Sequence, residues 1–268
     1  MRRSIVSAIL FVVAGIFYLI AAMKGNIPIY YIFSILLLLF GGLYIKRAFT
    51  EKKVEEESKI KNSKPKNNKL KTVDIKRIRK KMEKEQDSKR FEHTLGVAYT
   101  ASALAMCNQT DPEKALIAGL LHDCAKCIGN DKRISICEKH HIAISEIERQ
   151  NPFLLHAKAG SYIAKKKFHI HDEDILNAIL YHTTGRPEMS ELEKIIYIAD
   201  YIEPGRKHAI NLPKIRKMAF QDLDEALLVI LNDVLNYLHS IDNPIDPMTQ
   251  ETFDYYLSNK NNQTKKES

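Results

Sequence analysis

Apolar residues follow two different patterns along this chain. Residues 4–23 and 27–45 are apolar runs without a single charged side chain. From residue 73 onward, apolar residues instead recur three or four positions apart, as at Phe91, Leu95 and Ala98, which is the spacing of one buried helix face. The pattern predicts a two-helix transmembrane hairpin over residues 1–48, followed by an all-α helical bundle.

Each apolar run is long enough to cross a bilayer, which takes roughly 20 residues. Arg2 and Arg3 precede the first run and Lys46 and Arg47 follow the second, whereas the short connection holds only Lys24. Because positive charge favours the cytoplasmic side, we expect a two-pass cell-membrane protein with both termini and the following domain in the cytoplasm. A cleavable signal peptide is the alternative interpretation of the first run.

Two segments have no apolar stripe and are rich in Lys and Asn. They predict a charged flexible linker over residues 49–72 and a polar tail over 259–268, which leaves 73–258 as the folded domain. Much of the formal net charge of +8 comes from these segments. No aromatic residues alternate with the linker lysines to make a base-stacking surface. We therefore expect no nucleic-acid partner, and expect contact with anionic lipid headgroups instead.

Helix-start signals divide the domain. Asp111 and Asp172 are expected N-caps, with Pro112 at a first helical position, and Ser190 and Glu193 have the spacing of a capping box. No segment alternates with a period of two residues, so no strand is predicted.

Polar residues that can bind a metal interrupt the apolar helices. His93 lies in RFEHT, the adjacent His122 and Asp123 end the apolar string ALIAGLL, and Asp200 lies within IIYIADYI. Buried carboxylates are rare and costly without a partner, so we expect these side chains to meet around one cation. Two imidazoles and two carboxylates suit iron, manganese, cobalt or zinc better than calcium. Such an ion lowers the pKa of bound water toward about 7.

Five strings, in this order, resemble the HD-domain symmetrical bis(5'-nucleosyl)-tetraphosphatases of bacteria (the YqeK type). They are RFEHTLGVA, AGLLHDCAK, LLHAKAGSY, ILYHTTGRPEMS and LEKIIYIADYIEPGR. The resemblance implies an HD-domain helical bundle that hydrolyses diadenosine tetraphosphate to two ADP. It also implies iron or a similar divalent ion held by His93, His122, Asp123 and Asp200.

The same strings contain candidate catalytic residues. Lys126 is expected to neutralise phosphate charge, and with Asp123, His156 and His182 it makes up the predicted catalytic set. The two histidines are expected to contact phosphate, with at least one as a general acid, or alternatively to bind a second metal ion.

Further residues are expected to bind the substrate. Arg206 offers a planar fork for two phosphate oxygens, and Gly205 lets the backbone approach a phosphate closely. Arg90 lies one helical turn before His93 and is expected to face the site, whereas Arg186 is a weaker candidate of the same kind.

Other interpretations remain open at this point. The chain is alternatively an HD phosphohydrolase of another nucleotide, a membrane-tethered nucleotide sensor without turnover, or a structural membrane adaptor. The oligomeric state, including a homodimer, is also open. Cys124 and Cys127 form a lone CxxC that lacks the second pair of a zinc site, and we interpret them as small apolar helix residues in a reducing compartment.

Overall fold

The computed structural model describes residues 10, 12–14, 16, 19–20, 23–25, 35–43, 45–46, 73–207, 209, 211–241 and 244–267. The chain divides into two compact units, Met1–Thr72 and Val73–Ser268. The described residues of the second unit form helices and turns without any strand. The all-α prediction for the domain is therefore confirmed.

The predicted transmembrane hairpin falls in the first unit. Its described residues are helical, and in residues 35–43 most apolar side chains are exposed, Leu39 at 61%. No helix among the described residues is both long enough and apolar enough to cross a membrane. Parts of the hairpin and all of the predicted linker over residues 49–72 lie outside the described residues. The hairpin therefore stays a prediction without support from the structure.

Within its described residues the second unit has eleven α-helices. They are α1 (Ile75–Glu85), α2 (Ser88–Cys107), α3 (Pro112–Leu121), α4 (Asn130–Lys139), α5 (Glu146–Gln150), α6 (His156–Lys167), α7 (Glu173–Leu180), α8 (Glu191–Ile202), α9 (Leu212–Ala219), α10 (Leu223–Ser240) and α11 (Pro247–Glu267). A 3₁₀ helix, Pro152–Leu155, joins α5 to α6. The last helix continues through residues 259–267, where the sequence predicted only a polar tail.

The predicted helix starts are observed. The Asp111 carboxylate accepts the first free amides of α3, and the Asp172 carboxylate does the same for α7. Ser190 and Glu193 form both hydrogen bonds of a capping box at the start of α8. These local contacts fix the directions in which the helices enter the core.

Helix α8 lies at the centre of the bundle and packs against α2, α3, α7, α9 and α10. Nine of its twelve residues are buried. A carboxylate on such a helix must point into protein or into a cavity, and Asp200 lies in its last turn. The core packing thereby decides where Asp200 is presented.

Helices α2 and α3 cross at very close range. A Cβ added at Gly119 would lie 2.6 Å from the backbone Cα of Ala98. We expect Gly119→Ala to lower the free energy of unfolding by about 1–3 kcal/mol, because the two backbones would have to separate. Chemical denaturation followed by circular dichroism measures the change. Gly160→Ala is the matched control, since the added Cβ there meets its neighbours only at 3.5 Å or more. Equal stabilities for the two variants would contradict this account.

Candidate active site

The four predicted metal ligands meet at one place. His93 comes from α2, His122 and Asp123 from the end of α3, and Asp200 from α8. His93 Nε2 lies 3.0 Å from Asp200 Oδ1, and His122 Nε2 lies 4.0 Å from the same oxygen. His122 Nε2 is also 3.7 Å from Asp123 Oδ2. Residues more than 100 positions apart in sequence thus form one cluster.

The end of α3 explains how two adjacent residues face the same point. After Leu121 the regular helix stops, and amides begin to bond to carbonyls three residues earlier. The Cys124 amide bonds to the Leu121 carbonyl at 3.0 Å, and the Lys126 amide to the Asp123 carbonyl at 3.0 Å. In a regular α-helix neighbouring side chains diverge by about 100°. The tighter turn lets His122 and Asp123 both point at the cluster.

Three histidines of the site are anchored in the same way. In His122, His156 and His182 the ring Nδ1 lies 2.7 Å from the backbone carbonyl three residues earlier. A carbonyl only accepts hydrogen bonds, so each Nδ1 carries the proton and each neutral ring keeps a lone pair on Nε2. The Nε2 atoms of His156 and His182 both lie 3.5 Å from Asp123 Oδ1. Such anchoring orients metal-binding imidazoles.

Two buried atoms at the centre have no hydrogen-bond partner in the described part of the chain. They are His122 Nε2 and Asp123 Oδ1. Leaving a buried polar group unsatisfied costs about 1–3 kcal/mol, and both atoms are electron-pair donors. A cation would satisfy both at once. The candidate ligand atoms form two groups, and His122 belongs to both. Within each group, all ligand atoms lie within 4.8 Å of one another. Besides His122, the first group contains His93 and Asp200, and the second contains Asp123 and His182.

The electrostatics favour the protonation states that bind a cation. Burial lowers the pKa of His122 to about 4. Burial also lowers the pKa of His156 to about 3, with the positive charge of Lys126 adding to the effect. For Asp123, burial alone would raise the pKa, but His122, His182 and Lys126 together hold it well below its usual value. Neutral imidazoles therefore surround a charged carboxylate near neutral pH.

Glu203 belongs to the site, although no pattern in the sequence indicated it. It is 3% exposed, and it accepts a hydrogen bond from His93 Nδ1 at 3.1 Å. Gly96 on α2 leaves the space for it, because a Cβ there would lie 2.5 Å from a Glu203 carboxylate oxygen. Glu203 thereby orients His93 with Nε2 toward Asp200. The string IEPGR contained it, but only the crossing of α2 over the end of α8 shows its partner.

The predicted cationic residues surround the carboxylates. Arg206 Nη2 lies 2.7 Å from Asp200 Oδ1, and its side chain remains 45% exposed. Arg90 Nη1 lies 3.7 Å from Asp123 Oδ2. Lys126 Nζ lies 3.4 Å from Asp123 Oδ1. All three cations line the cavity above the site.

Two further predicted phosphate contacts are already engaged. The Gly205 amide donates to the Glu203 carboxylate, so this N–H is not directed at the cavity. Arg186 pairs with the buried Glu193 at 3.0 Å and its guanidinium lies 5.2 Å from the Tyr181 ring centre. In this structure both residues support neighbouring side chains.

The CxxC pair does not form a disulfide, and its two members differ. Cys124 is buried, donates to the Gly160 carbonyl at 3.4 Å, and has its pKa raised to about 12 by burial. Cys127 is exposed. The interpretation as a packed apolar residue therefore describes Cys124 but not Cys127.

Comparisons with known proteins agree with this site. The HD domain family matches residues 90–205. Over 169 residues the chain is 38% identical to the symmetrical bis(5'-nucleosyl)-tetraphosphatase of Bacillus subtilis (strain 168), covering 63% of this chain and 90% of that protein. The protein of the same name from Halalkalibacterium halodurans is 41% identical, covering 63% of this chain and 89% of that protein. This chain belongs to the HD-domain bis(5'-nucleosyl)-tetraphosphatase family.

A solved structure supports the same fold. It is a Clostridium acetobutylicum protein described as a "predicted HD superfamily hydrolase involved in NAD metabolism". The TM-score is 0.67 at 43% identity, covering 69% of this chain and 97% of that one. An HD domain implies a divalent metal, and the unpartnered nitrogen and oxygen donors described above fit one.

Glu203 gives the first test of this tetraphosphatase-family site. We expect Glu203→Ala to weaken Mn²⁺ binding by roughly 10–100-fold, the range found when a residue that orients a metal ligand is removed. Isothermal titration calorimetry on the metal-free protein measures the affinity. Glu138→Ala is the control, because Glu138 forms an exposed pair with Arg149. An unchanged affinity in Glu203→Ala would show that His93 needs no support.

Proposed function

We propose that this chain is a metal-dependent hydrolase that cleaves diadenosine tetraphosphate symmetrically into two ADP. The observation that carries the proposal is a pair of buried atoms, His122 Nε2 and Asp123 Oδ1, at a cation-lined cavity. Both can donate an electron pair to a metal, and neither has a hydrogen-bond partner among the described residues. The relatives that share this domain are named for the symmetrical reaction. Iron is the ion that the family resemblance suggests, and manganese, cobalt and zinc share its ligand preferences.

We assign binding of the polyphosphate to the cationic side chains of the cavity. Arg90 and Lys126 lie beside Asp123, Arg206 lies beside Asp200, and all three cations line the cavity. Phosphoryl transfer depends mainly on positioning and charge neutralisation, and fixed cations provide both without rearranging during the reaction. When bound, a divalent ion polarises a phosphoryl oxygen and lowers the pKa of water.

Proton transfer is assigned to Lys126, whose ammonium His156 positions. Lys126 Nζ lies 3.3 Å from His156 Nε2, and His182 Nε2 lies 3.3 Å from the same atom. Because Nδ1 of His156 donates to a backbone carbonyl, Nε2 accepts a hydrogen bond from the Lys126 ammonium. Lys126 lines the cavity and donates its proton to the departing ADP. His182 lines the same cavity and contacts the phosphate.

Product analysis tests the proposal directly. The full-length protein is supplied with Fe²⁺ or Mn²⁺ and diadenosine tetraphosphate, and products are separated by chromatography. We expect ADP as the only nucleotide product. AMP together with ATP would overturn the symmetrical cut. NAD is included as a competing substrate, because the Clostridium relative is described in NAD metabolism. Faster turnover of NAD would overturn the substrate assignment.

The membrane location is a separate proposal. It rests on the sequence, in which positive charges flank two uncharged apolar runs. Cell fractionation and protease treatment of spheroplasts test the two-pass arrangement with a cytoplasmic catalytic domain. Recovery of the intact protein in the fraction without membranes would overturn it. The homodimer stays a prediction.

A further inference from the structure

Arg133 is a buried cation with no role in the chemistry described so far. It lies near the start of α4 and is only 7% exposed. A guanidinium stays charged at any physiological pH, and a buried charge is costly unless it is well hydrogen-bonded. The hydrogen bonds of Arg133 go to two backbone carbonyls and one side-chain amide rather than to a carboxylate. Its role therefore follows from the backbone that it binds.

That backbone is the turn after α3. Arg133 Nε donates to the Ala125 carbonyl at 3.1 Å, and Arg133 Nη2 donates to the Lys126 carbonyl at 2.6 Å. The remaining nitrogen, Nη1, donates to Asn130 Oδ1 at 2.6 Å. A planar guanidinium makes such bonds in fixed directions at the same time. Arg133 thereby fixes the backbone from which the Lys126 side chain starts.

Helix α4 also connects this turn to the helix that carries His156. It packs against the 3₁₀ helix Pro152–Leu155 and against α6, whose first residue is His156. Lys126 Nζ lies 3.3 Å from His156 Nε2 and 3.4 Å from Asp123 Oδ1. A lysine has a flexible four-carbon stem, so both distances depend on where its backbone is held. Arg133 is thus connected to the cavity through Lys126.

We propose that Arg133 is a positioning residue for the hydrolysis, which holds the Lys126 ammonium where it can donate a proton to the departing ADP. Lys126 lines the cavity, whereas Arg133 does not, so Arg133 acts without touching the substrate. This inference rests on the proposed function, because it concerns the same site. It requires that Arg133 affects turnover only while Lys126 is present.

A double-mutant cycle tests this requirement. In the full-length, Mn²⁺-loaded protein, we expect Arg133→Met to lower kcat for diadenosine tetraphosphate by about 10²-fold, the loss that a displacement of roughly 1 Å can cause. In a Lys126→Ala background the same change should lower kcat by less than about threefold, because the group that Arg133 positions is already absent. Arg149→Met is the control, since Arg149 is exposed and pairs with Glu138.

Arg133→Lys distinguishes the hydrogen bonds from the charge. It keeps the positive charge but replaces the planar fork with a single ammonium group, so we expect kcat to stay at least about tenfold below that of the wild type. Wild-type turnover in Arg133→Lys would overturn the proposal. Equal losses from Arg133→Met with and without Lys126 would also overturn it, because a residue that only stabilises the fold gives that result. If Arg133→Met does not fold, the same cycle is run with Arg133→Lys.

The proposed reaction is judged separately, by the products of the wild-type protein. If that protein leaves diadenosine tetraphosphate intact, the hydrolase assignment falls, and the cycle is repeated with the affinity for ADP as its readout. Arg133→Met should then weaken ADP binding when Lys126 is present and leave it unchanged in Lys126→Ala. Any other outcome overturns the positioning role.

Discussion

Asp123→Asn is expected to reduce the turnover of diadenosine tetraphosphate by about 10³-fold or more, because it removes a charge from the centre of the site. The Asp123 carboxylate is 3% exposed, and Oδ1 has no hydrogen-bond partner among the described residues. Lys126 Nζ and the Nε2 atoms of His156 and His182 lie within 3.5 Å of that oxygen. Asparagine has the same shape but brings an amide with no charge, so it can neither balance Lys126 nor bind a cation strongly. The rate of ADP formation, followed by chromatography, measures the loss.

The shape of the side chain is kept in this variant, so the protein should still fold. Circular dichroism and the denaturation midpoint verify this. Asp131→Asn is the control, since Asp131 lies exposed in the first turn of α4. Turnover of Asp123→Asn within tenfold of the wild type would mean that the chemistry takes place elsewhere.

Much of the site was predictable because its residues break a strong pattern. His122, Asp123 and Asp200 interrupt apolar helices, and a polar group in a core position is costly without a ligand or a partner. Helix caps were predictable for a similar reason. Asp111 and Asp172 act on amides two or three residues away, so the whole interaction lies within one short string.

The parts that were not predictable depend on contacts between distant helices. Glu203 supports His93 only because α2 crosses the end of α8, with Gly96 at the crossing. The short distance between Glu203 and His93 cannot be predicted from the sequence. Arg186 shows the converse case, because the sequence pattern made it a weaker candidate for phosphate binding. The fold instead places it against Glu193. Sequence patterns indicate which residues are unusual, and packing decides whether each one meets a ligand or a neighbour.

The apolar residues that line the cavity were overlooked for a related reason. Leu95 continues the apolar stripe that predicts helix α2, and Tyr201 lies in the apolar string of α8. Apolar residues at helical spacing are ordinarily core residues. Only the opening between the helices makes these side chains line a cavity. A binding surface built from apolar residues therefore has the same sequence pattern as a core.

Removal of the metal is expected to have the second large effect. A chelator should reduce turnover to about a hundredth or less of its value in the loaded protein, and added Mn²⁺ or Fe²⁺ should restore it. Stability should follow the metal as well. An ion that binds only the folded state at 100 times its Kd stabilises that state by about 2.7 kcal/mol, which calorimetry detects as a higher Tm. His122 takes part in both candidate ligand groups, so its replacement should remove the stabilisation.

His122→Asn separates metal binding from packing. The shorter side chain can still donate to the Gly119 carbonyl but has no imidazole Nε2 for a cation. We expect its Tm to be the same with and without Mn²⁺, whereas the exposed control His171→Asn should keep the full increase. A normal increase in His122→Asn would place the ion away from the shared ligand. Because Tm is measured without substrate, this result would bear on the metal site even if the natural nucleotide differed.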